Sequence, residues 1–389
     1  MRRAAVRVAL FTNAYRPIVS GVVNSVDLIR KGLLRTGHIP YVFAPDVPGY
    51  KEEHAGVWRF RSMSLTKKVE FPLAIPLSAH LFTMIPRMKL DVIHCHHPFL
   101  LGDVGAFFAK QLNVPLVYTF HTQLEQYAHY IPLPSEFVRW AAREHVASYA
   151  NKCDCVICPS PSIRGLLDEY GVKCRVETLQ NAIDLRSYRQ ASGSRIRKQL
   201  GLDDTQILAI FTGRLSLEKN LSFLLEAFRR VHGQHPNFCL LLLGDGPLHS
   251  DLQEEASEAG LQDCVFFPGR VAYSEMPEYY AASDLFVMTS TTEVKPLAVL
   301  ESMASGLPVI AVDACGTGDT VTDGHDGLLS VCDLDAYSAI LERAVQDEEL
   351  RRTMGANARI TAEQYSLESY TERLVHLYQE LKDKKNTTK

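Results

Sequence analysis

The stretch from Ile207 to Asn220 reads ILAIFTGRLSLEKN and decides the fold class. Its first six residues, 207–212, are apolar or β-branched, which is typical of a strand that is buried on both faces of a parallel sheet. A polar turn, 213–220, follows at once. The helix predicted after it has four apolar residues on one face, Leu221, Leu224, Leu225 and Phe228. A strand, a tight turn and a helix form the repeating unit of a doubly wound α/β domain.

Similar apolar runs alternate with helical periodicity along the whole chain. Buried strands are predicted at residues 6–11, 41–44, 92–95, 116–120, 156–158, 207–212, 240–243, 285–288 and 309–312. This alternation predicts two doubly wound parallel sheets, one in each of two domains. The predicted domains are 1–185, joined by a terminal helix within 366–389, and 195–365.

Two details of this organisation are specific predictions. The polar stretch 186–198 is interpreted as the linker between the domains. Apolar residues at helical spacing over 367–381 predict a terminal helix that packs back on the N-terminal domain. The lysine-rich end after residue 381 is expected to be loose.

Length and composition exclude several classes of protein. At 389 residues, with 46% hydrophobic and 22% charged residues, the chain is neither disordered nor collagen-like nor a polytopic membrane protein. Its apolar runs fall short of the ~20 residues of a transmembrane helix, and residues 1–10 lack the apolar segment of a secretory signal. Nine cysteines without an export signal are expected to be reduced thiols. We therefore expect a cytoplasmic protein.

The net charge of −4 conceals an asymmetry between the two halves of the chain. Residues 1–180 carry a charge of +7 and the remainder carries −11. A basic half on an acidic protein favours an anionic partner, either a phosphate-bearing ligand or an anionic membrane surface. A solvated basic face is the alternative, and no nucleic-acid partner is predicted.

A glycine begins the helix predicted after the first strand. Gly21 follows the loop 12–20, and a glycine at a helix start leaves backbone N–H groups open to a phosphate. A glycine in such a turn is at least as often only a requirement of the backbone. The pattern G-x-G-x-x-G is absent, which disfavours a nicotinamide or flavin enzyme.

Two cations flank the turn after strand 207–212. Arg214 and Lys219 can converge on a diphosphate, the arginine through bidentate hydrogen bonds and the lysine as a point charge. A surface ion pair involving Glu218 is the alternative, and the residues alone leave the two interpretations even.

Two glutamates lie on either side of another helix start. Pro296 suits the first turn of a helix, which places Glu293 in the loop before it and Glu301 inside it. One carboxylate can then face a ligand at the helix start, while the other reaches a second part of that ligand. An acidic first turn with a solvated glutamate is the alternative.

These motifs together resemble the retaining glycosyltransferases of family 4, which have the GT-B fold. The resemblance covers nearly the whole chain and rests on Ser20-Gly21-Val22, Gly213-Arg214-Leu215 with Lys219-Asn220, Leu243-Gly244-Asp245-Gly246-Pro247, Phe267-Pro268-Gly269 with Val271, and the pattern E-x7-E, in which seven residues separate Glu293 from Glu301. It implies two Rossmann-like domains that face each other across a cleft. The N-terminal domain would bind the acceptor and the C-terminal domain a nucleotide sugar.

The resemblance also implies roles for individual residues. Arg214 and Lys219 would bind the diphosphate, and Glu301 would bind the ribose hydroxyls. Glu293 and His121 would lie beside the donor sugar and act in catalysis. The remaining donor-binding residues would be Gly21, Val271 and Leu297. No cofactor is implied beyond the nucleotide-sugar substrate.

The sequence departs from the common family pattern in the sugar-binding loop. Lys295-Pro296 stands where an aromatic-Gly pair is usual, and the proline removes one backbone donor. A metal ion is not expected, because Arg214, Lys219 and helix N-termini can stabilise the charge on a departing diphosphate. Asp333-Leu334-Asp335 precedes a helix and is interpreted as a cap.

Two clusters of cysteine and histidine invite a metal interpretation. The first cluster is Cys153, Cys155 and Cys158, and its segment 155–158 lies in an apolar run that predicts a buried strand, so these cysteines are interpreted as small core residues. His94, His96 and His97 end another strand. Alternation along that strand is expected to point them to different faces, which argues against a zinc site.

A narrower resemblance concerns the acceptor. Residues 121–132, HTQLEQYAHYIP, and the form Thr-Glu-Val-x-Pro-Leu at 292–297 resemble bacterial diacylglycerol glucosyltransferases, which add glucose from UDP-glucose to a membrane lipid. Six cations also flank an apolar stretch, 71–85, a composition suited to an anionic membrane. They are Arg59, Arg61, Lys67, Lys68, Arg87 and Lys89. A core helix with a basic rim explains the same residues.

We therefore expect a hexosyltransferase that moves glucose from UDP-glucose, with retention, onto a membrane lipid hydroxyl such as that of diacylglycerol. It would act at the cytoplasmic face of the membrane. A soluble sugar or sugar-phosphate acceptor is the first alternative. A non-catalytic nucleotide-sugar-binding protein is the second, which the joint presence of the cations and the two glutamates disfavours. The sequence does not distinguish uridine from guanosine donors.

Overall fold

The computed structural model describes residues 5–18, 20–52, 54–63, 72–123, 134–294, 296–314 and 316–387. The chain divides into two compact units. One comprises Met1–Ala182 with Leu367–Lys389, and the other comprises Ile183–Ser366. Each unit is built on its own parallel sheet.

The first unit has nine strands among the described residues. They are β1 (Arg7–Phe11), β2 (Ile39–Pro45), β3 (Val57–Phe60), β4 (Ser62–Met63), β5 (Leu73–Ala74), β6 (Val92–Cys95), β7 (Leu116–Thr119), β8 (Cys155–Cys158) and β9 (Val176–Thr178). Seven form a parallel sheet in the order β3-β2-β1-β6-β7-β8-β9, while β4 and β5 form an antiparallel pair. Its helices up to residue 182 are α1 (Gly21–Arg35), α2 (Ala79–Met84), α3 (Leu101–Leu112), α4 (Ser135–Ala150) and α5 (Pro161–Glu169), with a 3-10 turn at Ile85–Met88.

The second unit has a six-stranded parallel sheet. Its strands are β10 (Ile207–Thr212), β11 (Phe238–Leu243), β12 (Val265–Gly269), β13 (Leu285–Met288), β14 (Val309–Val312) and β15 (Gly327–Ser330). Their order is β12-β11-β10-β13-β14-β15. Its helices are α6 (Leu185–Arg189), α7 (Ser194–Leu200), α8 (Leu221–His232), α9 (His249–Glu258), α10 (Met276–Ala281), α11 (Leu297–Ser305), α12 (Leu334–Gln346) and α13 (Glu348–Ala362), with 3-10 turns at Leu217–Lys219 and Glu363–Tyr365.

Both strand orders confirm the predicted doubly wound sheets. In each sheet the order reverses once, between β1 and β6 in the first unit and between β10 and β13 in the second. Such a reversal is the topological switch point of an open α/β sheet, where ligands bind beyond the carboxyl ends of the strands. Each unit therefore has one edge at which a ligand site is expected.

The terminal helix α14 (Leu367–Thr387) packs on the first unit, as predicted. It lies against α1 so closely that a Cβ atom at Gly32 would collide with the Thr371 hydroxyl. The expectation of a loose lysine-rich end is wrong for the described residues up to 387. Lys382 pairs with Asp91 at 2.6 Å and Lys385 with Asp154 at 2.8 Å, which holds the last turns of the helix in place.

The predicted linker at 186–198 is also wrong. These residues belong to the second unit and contribute to α6 and α7, because apolar anchors interrupt the polar stretch. Tyr188 and Ile196 are buried, and α6 contacts α10 and α11. The boundary between the units lies at Ala182 and Ile183 instead.

Candidate active site

The turn that follows β10 lies at the switch point of the second sheet. Its backbone is held by the neighbouring loop after β11, since Leu215 N donates to Asp245 O at 3.0 Å. The two loops approach so closely that a Cβ atom at Gly244 would collide with the Gly213 carbonyl oxygen. The glycines of the Leu243-Gly244-Asp245-Gly246 motif therefore support the turn, and Arg214 is left exposed on it.

Two predicted site residues form an ion pair across this switch point. Lys219, in the 3-10 turn after β10, contacts Oε1 of Glu293, which lies in the loop after β13. Their side chains are only 18% and 17% exposed. The loop after β13 also holds the turn through its hydroxyls, because Thr289 Oγ1 donates to Lys219 O at 2.9 Å and Ser290 Oγ donates to Glu218 O at 2.9 Å. The loops after β10 and β13 are thus connected by hydrogen bonds as well as by the ion pair.

The loop that carries Glu293 is packed against a second glycine-containing turn. Gly316 has a φ of +80°, and a Cβ atom there would collide with the carbonyl oxygens of Glu293 and Val294. Lys295 lies outside the described residues. Pro296 is the N-cap residue of α11, one position earlier than its predicted place in the first turn, and Leu297 is the first helical residue.

Glu301 lies inside α11, as predicted, and its side chain is buried. Tyr273 donates to Oε1 at 2.8 Å and Tyr280 donates to Oε2 at 2.9 Å. A hydrogen bond of 2.7 Å links the hydroxyls of Tyr280 and Thr212, and Tyr188 donates to Tyr273 at 3.4 Å. Burial raises the pKa of Glu301, while the tyrosine hydrogen bonds act in the opposite direction. The carboxylate is fixed, yet each oxygen has lone-pair capacity for a further hydrogen bond.

Val271 follows β12 and is partly buried against the core of the second unit. The strand before it ends at Gly269, whose carbonyl accepts a 3.1 Å hydrogen bond from Gly244 N. This bond joins the loops after β11 and β12 at the same edge of the sheet. The predicted contact of Val271 with a nucleotide base stays a prediction.

Gly21 is the exposed first residue of α1 in the first unit. Ser20 caps the helix, accepting a hydrogen bond from Val23 N at 3.3 Å. A Cβ atom at Gly21 would meet no atom of the described residues within 4 Å, and the backbone there is not in the left-handed region. In this part of the structure, neither neighbouring atoms nor backbone geometry requires a glycine at position 21.

His121 follows β7 and is partly exposed at the carboxyl edge of the first sheet. Its Nε2 lies 2.9 Å from Nδ1 of His96, which follows the neighbouring strand β6 and is buried. Burial lowers the pKa of His121 to about 3 and that of His96 well below its ordinary value. Both rings are therefore neutral near pH 7.

The expectation that alternation separates His94, His96 and His97 is wrong for the first two. Residues two apart share a face of a strand, and the ring centroids of His94 and His96 are 4.3 Å apart. His97 does point elsewhere, and its Nδ1 accepts from Asn13 N at 3.1 Å. In the part of the chain that the structure describes, no group of three or more His, Cys, Asp or Glu could hold a metal ion.

Two interpretations of metal-like motifs are confirmed. Cys155 and Cys158 are the first and last residues of strand β8, and both are buried. Asp333 is the N-cap of α12, and its side chain accepts from Asp335 N at 3.1 Å and from Ala336 N at 3.0 Å.

The predicted membrane-facing cations need correction. Arg59 is not available to a membrane, because its side chain is only 12% exposed and bonds Glu52 and the carbonyls of Pro45 and Arg16. Lys67 and Lys68 lie outside the described residues, as does Phe71 of the apolar stretch. Among the described apolar residues of that stretch, Leu81 and Ile85 are buried but Leu77 is 75% exposed. Arg61, Arg87 and Lys89 are also exposed.

Another part of the first unit exposes aromatic side chains. Phe137 and Trp140 lie in the first two turns of α4, which begins at Ser135. Their side chains are 55% and 58% exposed, and their ring centroids are 5.9 Å apart. No helix among the described residues is long and apolar enough to span a bilayer.

Sequence reasoning missed the residues that support the site. The sequence did contain evidence for His96, because residues two apart on a strand share a face, as His94 and His96 do. The two side chains were expected on different faces instead. Tyr273 and Tyr280 are seven residues apart on either side of the start of α10, and the single sequence does not connect them to Glu301. That connection requires the packing of α10 on α11.

Two family models match the chain. The model described as "Glycosyltransferase Family 4" matches residues 19–187, and the model described as "Glycosyl transferases group 1" matches residues 193–361. Each match falls largely within one of the two structural units.

Curated relatives extend over most of the chain. Alpha-monoglucosyldiacylglycerol synthase of Streptococcus pneumoniae is 32% identical over 88% of this chain and 79% of its own. The protein of the same name from Acholeplasma laidlawii is 29% identical over 98% of both chains. GDP-mannose-dependent alpha-mannosyltransferase of Mycobacterium tuberculosis is 31% identical over 83% of both chains.

A solved structure confirms the GT-B fold. Alr3699/HepE of Anabaena, in complex with UDP and glucose, superposes with a TM-score of 0.80 at 22% identity, over 96% of this chain and all of that one. At this identity the likeness establishes the fold alone.

Proposed function

The chain belongs to the family 4 glycosyltransferases and is a hexosyltransferase, and from that premise we propose that it transfers glucose from UDP-glucose to the hydroxyl of a membrane lipid such as diacylglycerol. The transfer proceeds with retention of configuration at the anomeric carbon. The donor, the stereochemistry and the acceptor are each parts of this proposal.

The ion pair between Lys219 and Glu293 is the observation that carries it. A cation suited to a diphosphate and a carboxylate suited to a developing positive sugar lie in contact at a switch point of the sheet. Exposed Arg214 lies on the same turn. Breaking the bond between the anomeric carbon and the phosphate oxygen leaves negative charge on the nucleoside diphosphate. The two cations stabilise that charge without a metal ion.

The environment of Glu301 supports a role in binding the nucleoside. Each oxygen of its carboxylate is held by one tyrosine, Tyr273 or Tyr280, so it can accept hydrogen bonds from a ribose without first becoming ordered. Because ribose contacts are the same before and during the reaction, this residue serves donor affinity more than turnover.

Gly21 supports a close approach of the donor to α1. Among the described residues, no atom lies within 4 Å of the position that a Cβ atom there would take. We propose that the phosphates use this space, near the open N–H groups of the helix start.

The lipid acceptor is supported by two relatives named alpha-monoglucosyldiacylglycerol synthase and by the exposed aromatics of α4. Phe137 and Trp140 are suited to the interface of a bilayer, because their rings can contact the apolar region while the indole N–H of Trp140 reaches water. The positive charge of residues 1–180 would add electrostatic attraction to anionic lipids. A soluble acceptor is the alternative, and it predicts no function for these two aromatics.

A screen of nucleotide sugars tests the donor and the enzymatic class. UDP-glucose at 100 times its dissociation constant should stabilise the protein by about 2.7 kcal/mol, seen as a rise in the thermal midpoint. GDP-mannose is the comparison, since one relative uses it by name. Slow release of glucose from UDP-glucose without acceptor supports an enzyme, whereas stabilisation with no release at all supports the non-catalytic binder.

A further inference from the structure

The hydrogen bond between His96 and His121 also shows which ring nitrogen of each histidine carries the proton. His96 lies at the end of β6, where its backbone N donates to Phe11 O at 2.9 Å. Its side chain is 2% exposed, and the Nδ1 atom is 2.9 Å from His121 Nε2. One of these two nitrogens must carry the proton of the bond.

The other ring nitrogen of His96, Nε2, shows whether His96 or His121 donates the proton of this bond. Among the described residues, Nε2 of His96 is buried and has no hydrogen-bond partner. Each neutral ring carries one proton, so a proton on His121 Nε2 would force the proton of His96 onto its own Nε2. That arrangement buries an N–H donor without an acceptor, which is rare and costly. With the proton on His96 Nδ1, only a lone pair is left unused.

The surroundings of His96 hold its ring in this orientation. The His94 ring lies beside it, with centroids 4.3 Å apart. That ring is itself bonded at both nitrogens, Nδ1 to Tyr378 at 2.6 Å and Nε2 to Thr119 at 2.6 Å. Tyr378 of the terminal helix and Thr119 at the end of β7 thus fix the His94 ring, which packs against His96.

We propose that His96 is a positioning residue that donates its Nδ1–H to Nε2 of His121 and thereby keeps the single proton of His121 on Nδ1. His121 then has its Nε2 lone pair occupied. It meets a ligand as a hydrogen-bond donor through Nδ1–H and does not take up a proton as a general base. The ligand group that it contacts must be an acceptor oxygen.

This role in the reaction rests on the proposed function, where a sugar hydroxyl or a phosphate oxygen of the donor is that acceptor. The tautomer itself does not depend on the enzyme's activity. The inference therefore has one test that uses no substrate and another that does.

The direct test is nitrogen-15 NMR of the protein labelled at histidine, near pH 7. The signals of His121 are assigned by comparison with His121→Asn. We expect the protonated nitrogen of His121 to be Nδ1 and that of His96 also to be Nδ1. A proton on Nε2 of His121 in the unaltered protein overturns the proposal.

Variants at position 96 test the cause. His96→Leu removes the donor, and we expect the Nε2–H form of His121 to become populated. His96→Asn places an amide N–H where Nδ1 was, and we expect it to restore the Nδ1–H form. His97→Leu is the control, since that neighbouring histidine bonds Asn13 and makes no hydrogen bond to His121 within the described residues. An unchanged tautomer in His96→Leu overturns the proposed role of His96.

Kinetics separate positioning from loss of structure. In the glucosyl-transfer reaction, His96→Leu should lower kcat at least 10-fold with KM for the donor changed less, and His96→Asn should recover most of it. If both variants lose activity equally while the NMR shows the restored tautomer in His96→Asn, the positioning role is wrong. If the protein has no transferase activity but the tautomers are as stated, the proposed function fails and the histidine assignment stands.

Discussion

Lys219 and Glu293 form an ion pair although 74 residues separate them in the chain. The pair lies at the switch point of the second sheet, where it connects the loops that follow β10 and β13. On the proposed function, a donor diphosphate becomes the new partner of the lysine and leaves the carboxylate facing the sugar. On that proposal, the cation that would bind the diphosphate is already held in place by the carboxylate that would act beside the sugar.

Replacing the lysine should reduce turnover much more than it reduces stability. We expect Lys219→Ala to lower kcat about 100-fold or more, because a preorganised cation acts on the charge that develops in the transition state. Lys198→Ala, at an exposed position of the same unit, is the control. Steady-state kinetics of both variants measure the effect, and near-normal turnover in Lys219→Ala removes the assigned role.

The buried Glu301 should make stability depend on pH. Its ordinary pKa of 4.5 is raised in the folded protein, so the folded state holds a proton that the unfolded chain has released. Stability from this group therefore falls as pH rises through the interval between 4.5 and the raised value. Glu301→Gln has no ionisable carboxyl group at this position. The difference between its thermal midpoint and that of the unaltered protein should therefore increase as the pH rises through that interval. Parallel pH profiles for the two proteins would contradict the raised pKa.

A methyl group at Gly21 should affect activity without affecting the fold. Gly21→Ala has room in the protein, so we expect an unchanged or slightly higher thermal midpoint. The same methyl group would fill the space assigned to the phosphates, and kcat/KM for the donor should fall at least 10-fold. Gly165→Ala in α5 is the matched control, since its Cβ also meets no atom within 4 Å. Equal activity in the two variants would show that no ligand approaches Gly21.

The aromatics of α4 should bring the protein to lipid. We expect the double variant Phe137→Ser and Trp140→Ser to bind anionic vesicles at least 10-fold more weakly, because two large apolar side chains no longer leave water. Ile360→Ser, at a position 67% exposed in the second unit, is the control. Sedimentation with vesicles of anionic and of neutral lipid measures the binding. No loss in the double variant would place membrane contact elsewhere or exclude it.

The central strands were predictable from the sequence, and the outer ones were not. The runs at 92–95, 207–212, 285–288 and 309–312 coincide with β6, β10, β13 and β14, because strands covered on both faces are almost continuously apolar. The strands β3, β9, β12 and β15 were missed, and they are the four edges of the two parallel sheets. The short antiparallel pair β4 and β5 was missed as well. With a neighbour on one side only, an edge strand such as β12, where Pro268 interrupts the apolar run, has a weaker pattern.

The site was predictable to a similar extent. Local rules placed Glu293 in a loop and Glu301 inside a helix, since a proline marks the helix start between them. They could not show that Tyr273 and Tyr280 hold Glu301, because that contact depends on how two helices pack. The polar linker was misjudged for the same reason, since Tyr188 anchors it through tertiary contacts.

Transfer of a hexose to a lipid hydroxyl is measured by incubating the protein with UDP-glucose, labelled in the glucose, and vesicles that contain diacylglycerol. We expect the label to enter a lipid that is extracted into organic solvent, with the anomeric configuration of the donor kept and at least 100-fold less product from Lys219→Ala. Label that is found only in free glucose or in water-soluble glycosides, with none in the lipid fraction, would contradict the proposed transfer to lipid.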